Sequence, residues 1–372
     1  MTGARREIKK DNQQKIMKIG IITQPFHTNY GGILQNYALQ QVLKQSGHEV
    51  WTIDYCNFSW FNWFDNAWRV IVLKLLGYKT NFMDTPNERK RKNMPLRRFV
   101  RAHIDVTQPC TKKFKRSIVK KYSLDALVVG SDQVWRPQYN DRIEDCFLKF
   151  ASNLNIKRVA YAASFGTDDW EFTNEQTERC AELAKKFDGI SVREKSGVTL
   201  CEKYLKVSAI QVLDPTLLLH AEDYIKLCSH IPKRKPFVFA YILDGSEDKN
   251  TVVNALSECI GLPCIIKGAG NAISADDTIE LWISYFRDAA FVITDSFHGM
   301  AFSIIFNNEF LVFGNENRGN SRFDSLLDLL DLKNRIIKNM PSEHLGNINW
   351  DSVNVRRENA IKSSKLWLMQ NL

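Results

Sequence analysis

No stretch of this 372-residue sequence reaches the roughly 18 consecutive apolar residues that a membrane-spanning helix needs, so a helical span is not expected. The opening MTGARREIKKDNQQKI has neither an apolar core nor a small-residue cleavage site, which argues against a secretory leader. Residues 1–16 read as a disordered extension ahead of Met17. Cysteine occurs eight times but never as CxxC, and no histidine stands at zinc-ligand spacing from the nearest two, Cys259 and Cys264. A metal site is therefore not expected, and the thiols read as inert in a reducing cytosol. The dinucleotide fingerprint GxGxxG is missing too, since the pair Gly31–Gly32 lacks its spacing. There is no short-period repeat and no helix-turn-helix, RNA-binding or zinc-finger pattern, so nucleic acid is not an expected partner.

What is plentiful is positive charge. The net charge of +9 suggests attraction to something anionic. The excess is concentrated at Arg89, Lys90, Arg91, Lys92, Arg97, Arg98 and Arg101, then at Lys112, Lys113, Lys115, Arg116, Lys120 and Lys121. Ahead of it Phe58, Trp60, Phe61, Trp63, Phe64 and Trp68 crowd together. An aromatic face beside clustered cations is what peripheral contact with an anionic membrane requires. The plainer reading is a helical lid packed inward beside a solvated basic loop. Either way, the region near residues 57–121 reads as an insertion.

Around that insertion the chain alternates short apolar runs with amphipathic segments. KIGIIT reads as a buried strand, ILQNYALQQVLKQS as a helix stopped at Gly47, and HEVWTIDY as the next strand, together one βαβ unit. LDALVVG, KRVAYAAS and GISVR continue the series, with NEQTERCAELAKKF as a helix. The polar bridge CSHIPKRKP then separates a second series: FVFAYIL, PCIIKG, FVITD and FLVFG as strands, with helices near NTVVNALSECIG, DDTIELWISYFRDA and SFHGMAFSIIFN. The expected fold is α/β, two Rossmann-like doubly wound lobes facing a cleft, spanning residues 17–230 and 236–345, with a last helix over 351–372.

Ligands of such sheets bind beyond the carboxyl ends of the strands. The polar residues there are Gln24, His27, Asn29, Gly31 and Gly32 after the first strand, and Ser131, Asp132, Gln133 and Trp135 after LDALVVG. Arg193, Glu194 and Ser196 follow GISV, and Asp295, Ser296, Phe297, His298 and Gly299 follow FVIT. His298 opens a helix, where free N–H groups and the dipole favour an anion and an imidazole can pass a proton. The helix dipole should lower its pKa. The plainer alternative is a histidine that caps or packs. Arg193 offers a fork for carboxylate or phosphate, or else an ion pair with Glu194 or Asp188. Ser131 and Asp132 either act in the cleft or only cap a turn.

Six blocks, IGIITQPFHTNYGGILQNYALQQVLKQSGHEV, GSDQVWRP, YAASFG, ISVREKSG, VLDPTLLL and VITDSFHGMAFSI, stand in this order over residues 18–325. Together they resemble the polysaccharide pyruvyltransferase family. The resemblance implies a glycosyltransferase-B-like fold and a donor, phosphoenolpyruvate, bound without a cofactor. It further implies a ketal closed on a hexose or hexosamine of a surface or capsular polysaccharide, the acceptor being an oligosaccharide or lipid-linked. A cytoplasmic location at the inner face of the plasma membrane would fit. By the match of SVRE and SFHG, Arg193 would hold the donor with Ser296, Phe297 and Gly299, and His298 would be the acid/base residue. Similar members often carry Arg-Leu-His where this chain has Ser296-Phe297-His298, so a phosphate clamp must come from elsewhere; Lys267, Arg318 and Arg322 are the candidates. His27, Asn29, Tyr30, Gly31, Gly32, Ser131, Gln133 and Trp135 would face the acceptor, with Asp132 deprotonating or orienting its hydroxyl. Two alternatives stand beside this reading. One is a nucleotide-sugar glycosyltransferase on the same fold; the other is a non-catalytic basic protein for membrane or nucleic acid.

Overall fold

The structure, a computed structural model, describes residues 15–26, 29–55, 68, 87–88, 91, 93–110, 114–140, 142–268, 277–314, 320–338 and 346–372. The first sheet begins with β1 (Lys18–Ile22), followed by helix α1 (Tyr30–Gln45) and β2 (Glu49–Thr52). Helices α2 (Met94–His103) and α3 (Arg116–Lys121) precede β3 (Ala126–Gly130) and β4 (Lys157–Ala163). Then come α4 (Asn174–Ala184), β5 (Gly189–Val192), α5 (Lys195–Leu200), the two-residue β6 (Ile210–Gln211) and α6 (Ala221–Leu227). The six strands are all parallel, in the order β2-β1-β3-β4-β5-β6.

The second sheet runs through β7 (Val238–Ile242), α7 (Glu247–Ile260), β8 (Cys264–Gly268), α8 (Ile279–Asp288), β9 (Phe291–Thr294) and α9 (Phe297–Ile305). It ends with β10 (Glu309–Phe313), α10 (Ser321–Leu330) and β11 (Ile336–Ile337), in the parallel order β11-β10-β9-β7-β8. Helix α11 (Trp350–Asn371) closes the chain. The expected two-lobed α/β architecture is thus present. Every residue of β3 and of β7 is buried, as parallel strands covered by helices on both faces must be. The two-residue strands β6 and β11 were not expected, because two residues carry no periodicity.

Helix α1 is more central than its sequence suggests. Gln35, Asn36 and Gln40 are fully buried along with its leucines. Burying an amide costs free energy unless it is bonded, and here Gln35 donates to Thr23 Oγ1 at 2.7 Å while Gln40 donates to Asp105 O at 2.7 Å. Asn36 accepts from Thr52 Oγ1 at 2.7 Å. Asn29 caps the helix by accepting from Gly32 N, and the helix stops before Gly47, whose φ of +88° suits glycine. One apolar cluster runs through both lobes, joining Leu34 and Leu39 to Phe239, Trp282 and Phe302.

The final helix belongs to the first lobe rather than standing apart. Arg357 of α11 donates to the carbonyls of Leu217 and Leu219, Ser364 Oγ accepts from Leu213 N at 3.1 Å, and Trp367 lies 6.4 Å from the Tyr161 ring. Among the described residues no helix is long and apolar enough to cross a membrane. The aromatic run Phe58–Phe64 and the basic residues Arg89, Lys90, Lys92, Lys112 and Lys113 lie outside the described residues. Of their neighbours, Trp68 is 69% exposed, and one guanidinium nitrogen of Arg97 donates to both carboxylate oxygens of Asp54. Leu368 of α11 is completely buried in the shared cluster. Leu368→Ala should therefore destabilise the whole protein by about 2–5 kcal/mol in denaturant unfolding.

Candidate active site

In the first sheet the strand order reverses between β1 and β3, because the chain leaves β1 for β2 on one side and β3 for β4 on the other. Such a reversal opens a crevice at the carboxyl edge. Asn29 and Asp132 meet across it, the Asn29 amide donating to Asp132 Oδ2 at 3.0 Å. Asp132 holds a left-handed φ of +65° just after β3, a conformation that Asp tolerates better than most residues. Beneath this edge lies an ion-pair network. Arg193, at the end of β5, donates to Asp214 Oδ2 at 2.9 Å and approaches Asp132 Oδ1 at 3.5 Å. Asp214 Oδ2 also accepts from Ser131 Oγ at 3.0 Å, and its Oδ1 accepts from both the backbone and the hydroxyl of Thr216. Glu194 turns the other way and accepts from the backbone of Phe165 and Gly166, fixing the loop after β4.

The second sheet reverses between β7 and β9, and its crevice is closed in the same manner. Asp295, after β9, accepts from Leu243 N at 2.6 Å and Asp244 N at 2.9 Å beyond β7, and from Lys249 Nζ at 2.6 Å. Ser296 caps α9 by accepting from Gly299 N, which places His298 in the first turn. The Phe297 ring lies under two guanidinium groups, Arg193 at 4.4 Å and Arg322 at 6.0 Å. The imidazole of His298 is clamped against α1: a Cβ built on Gly31 would stand 2.0 Å from His298 Nδ1. Its Nε2 is buried, has no hydrogen-bond partner among the described residues, and faces Asp214 Oδ2 at 3.9 Å.

The two crevices meet in a cavity of about 250 Å³. Asn29, Gly31, Asp132 and Gln133 line it from the first lobe. From the second come Ser296, Phe297, His298 and Arg322, backed by Tyr241, Leu243, Asp295 and Phe323. Burial pushes the His298 pKa down; Asp214 and Asp132 oppose that, while Arg193 and Arg322 add to it. The surroundings thus favour the neutral imidazole over the imidazolium. Burial likewise pushes the Arg322 guanidinium down to about 10, helped by Arg193 and opposed by Glu194 and Asp132. For Asp214, burial alone would raise the pKa; His298, Arg193 and the Thr216 bonds reverse this and hold it below the ordinary carboxylate value.

Nine of the residues singled out in the sequence thus line one cavity. Others do not reach it. Trp135, expected at the acceptor, is fully buried and stacks on Phe147 at 4.6 Å, with its indole N–H on Cys146 O. Tyr30 docks onto the second lobe, stacked on Trp282 at 5.8 Å with its hydroxyl on Asp277 O. Lys267 pairs with Asp277 at 3.1 Å. Arg193 sits below the cavity, its side chain 1% exposed, and serves the carboxylates rather than the open space. Ser131, Gly32 and Gly299 are buried supports; a Cβ on Gly299 would press on Thr294 Oγ1 at 2.3 Å. His27 and Arg318 lie outside the described residues. Sequence reasoning missed Asp214, although it stands in the VLDPTLLL block: it follows no long strand, and a carboxylate before proline reads as a turn.

The contact between Gly31 and His298 is directly testable. Gly31→Ala should force the imidazole out of place, destabilise the protein by about 1–3 kcal/mol, and shift the His298 resonances in an NMR spectrum of histidine-labelled protein.

Residues 29–317, which span both crevices, match the family described as polysaccharide pyruvyl transferase. No curated protein matches the chain. Among solved structures, the UDP-GlcNAc 2-epimerase of Neisseria meningitidis bound to UDP-GlcNAc is similar at a TM-score of 0.50 and 9% identity, covering 95% of this chain and 99% of that one. Arabidopsis thaliana UGT89C1 complexed with UDP-L-rhamnose is similar at 0.50 and 10% identity, covering 96% and 99%. At such identities these likenesses establish the glycosyltransferase-B-like fold alone. The family match covers Asn29, Asp132, Arg193, Asp214 and His298 alike, and it settles the affiliation: this chain belongs to the polysaccharide pyruvyl transferase family.

Proposed function

We propose that this enzyme transfers the pyruvyl group of phosphoenolpyruvate onto two hydroxyls of a hexose or hexosamine, closing a ketal during surface polysaccharide biosynthesis. The observation that carries the reading is the cavity itself, where one buried histidine and one buried arginine meet at the mouths of two helices. Arg322 stands in the first turn of α10, so guanidinium and helix dipole act on the same space. It takes the part of the arginine that Ser296 replaces in the motif, and it holds the donor's phosphate or carboxylate. His298 protonates the methylene carbon, and the resulting oxocarbenium-like centre is attacked by the first hydroxyl. Phosphate leaves and the second hydroxyl closes the ketal. One hydroxyl proton replaces the proton spent on the methyl group, and the other departs with phosphate. Asp132, held by Asn29 and Arg193, orients the attacking hydroxyl from the first lobe.

Incubation with phosphoenolpyruvate and a panel of lipid-linked or short-chain hexosides should give acceptor-dependent phosphate release. His298→Asn should lower that rate by about 10²-fold or more, and Arg322→Gln should mainly raise KM for the donor. No release with any acceptor, together with binding of a nucleotide sugar, would replace this reading with a glycosyltransferase. The pH dependence has a definite sign. Since His298 must be protonated to act and its pKa is lowered in the free enzyme, kcat/KM for the donor should fall as pH rises from the acid side. Binding of the anionic donor raises the imidazole pKa, so the corresponding fall in kcat should lie at higher pH.

A further inference from the structure

We infer that Asp214 is a positioning residue for His298, fixing the imidazole as the Nε2–H tautomer so that Nδ1 is the nitrogen that exchanges protons with substrate. The assignment of a substrate proton to Nδ1 rests on the pyruvyl-transfer reading; the tautomer itself does not.

The geometry supplies the argument. His298 lines the cavity, yet its Nε2 is sealed from solvent and makes no hydrogen bond among the described residues. The polar atom it faces is Asp214 Oδ2, 3.9 Å away. An N–H dipole directed at a buried carboxylate is favoured over a lone pair directed at it, and more so where water is excluded. The second nitrogen, Nδ1, lies against the bare Cα of Gly31, where any side chain would collide with it. Gly31 also lines the cavity, and Nδ1, unlike Nε2, is not among the sealed unpartnered atoms, so it is the nitrogen left to a bound molecule. Asp214 cannot turn away, because Thr216 holds Oδ1 twice and Arg193 and Ser131 hold Oδ2.

The charges facing the ring are Asp214 and Asp132 on one side of the balance and Arg193 and Arg322 on the other. In the reaction the imidazolium gives its Nδ1 proton to the methylene carbon and remains as the Nε2–H form. Nδ1 then takes the proton of the attacking hydroxyl. The ring ends as it began, and Asp214 keeps its charge throughout.

The test is a long-range proton–nitrogen NMR spectrum of histidine-labelled protein, with His298 assigned through the His298→Asn variant. In the neutral ring, Nε2 should show the protonated-nitrogen shift and Nδ1 the lone-pair shift. The reverse pattern, or an average of the two, overturns the inference. Asp214→Asn should lose the single-tautomer signature, move the fall of kcat/KM to lower pH, and reduce kcat by about 10²-fold or more; Asp214→Glu should restore part of it. If Asp214→Asn does not fold, the wild-type spectrum alone decides. A locked Nε2–H tautomer in a protein that releases no phosphate would sink the proposed function and leave this inference standing. Phosphate release with a mobile tautomer would do the opposite.

Discussion

The buried pair Arg193–Asp214 is the interaction on which the site depends. Two full charges 2.9 Å apart, with side chains 1% and 0% exposed, need further hydrogen bonds around them, and only the buried Arg193 Nε lacks one among the described residues. That requirement recruits Thr216 and Ser131 to the carboxylate and brings Asp132 to the guanidinium. Four separate stretches of chain are thereby fixed to one another: the ends of β3 and β5, the turn at Pro215–Leu218, and, through Phe297 stacked on Arg193, the start of α9. Removing either charge would leave its partner stranded in a low-dielectric interior. The pair therefore gives little stability by itself and a great deal of definition to the space above it.

That space is made by repetition of one device. Each sheet reverses its strand order once, and each reversal is closed by a carboxylate or amide reaching across to neighbouring backbone or side chain, Asn29 to Asp132 in the first lobe and Asp295 to Leu243 and Asp244 in the second. The first lobe presents the Asp132 carboxylate with two amides, Asn29 and Gln133, and the second an imidazole, a guanidinium and a capped helix start, with the Asp295 carboxylate behind them tied to Lys249. A reaction that needs a cation for an anionic donor and an anion near a hydroxyl finds the two kinds of group on opposite walls. The fold fixes where the walls are and leaves their chemistry to a handful of side chains.

The strands were legible because parallel strands buried on both faces are continuous apolar runs, as in ALVVG and FVFAYI, and helix ends were marked by glycine at Gly47 and Gly261, both with positive φ. His298 was legible for a similar local reason, since it follows the strand FVIT and opens a helix. What a sequence withholds is direction. Trp135 and Gln133 follow the same strand, yet one turns into the core and the other toward the cavity. Arg193 was placed rightly at a strand end, but its partners, 21 and 61 residues away, decide that it points inward. Asp214 was hidden for a related reason: its importance lies wholly in long-range contacts that no periodicity encodes. Arg322, one of three proposed cations, became distinguishable from Lys267 only once it was seen to line the cavity, which Lys267 does not.

Helix α11 leaves the second lobe and ends on the first, so the chain crosses between lobes twice, once between α6 and β7 and again between β11 and α11. A body fastened to another at two points keeps one easy freedom, rotation about the line through both. Sliding or twisting of one lobe over the other would stretch a crossing. Here that rotation is opposed as well, since one apolar cluster runs through both lobes and Tyr30 stacks on Trp282 across them. What they cannot easily do is change which wall meets which, so an acceptor enters against a partner surface whose handedness is already set.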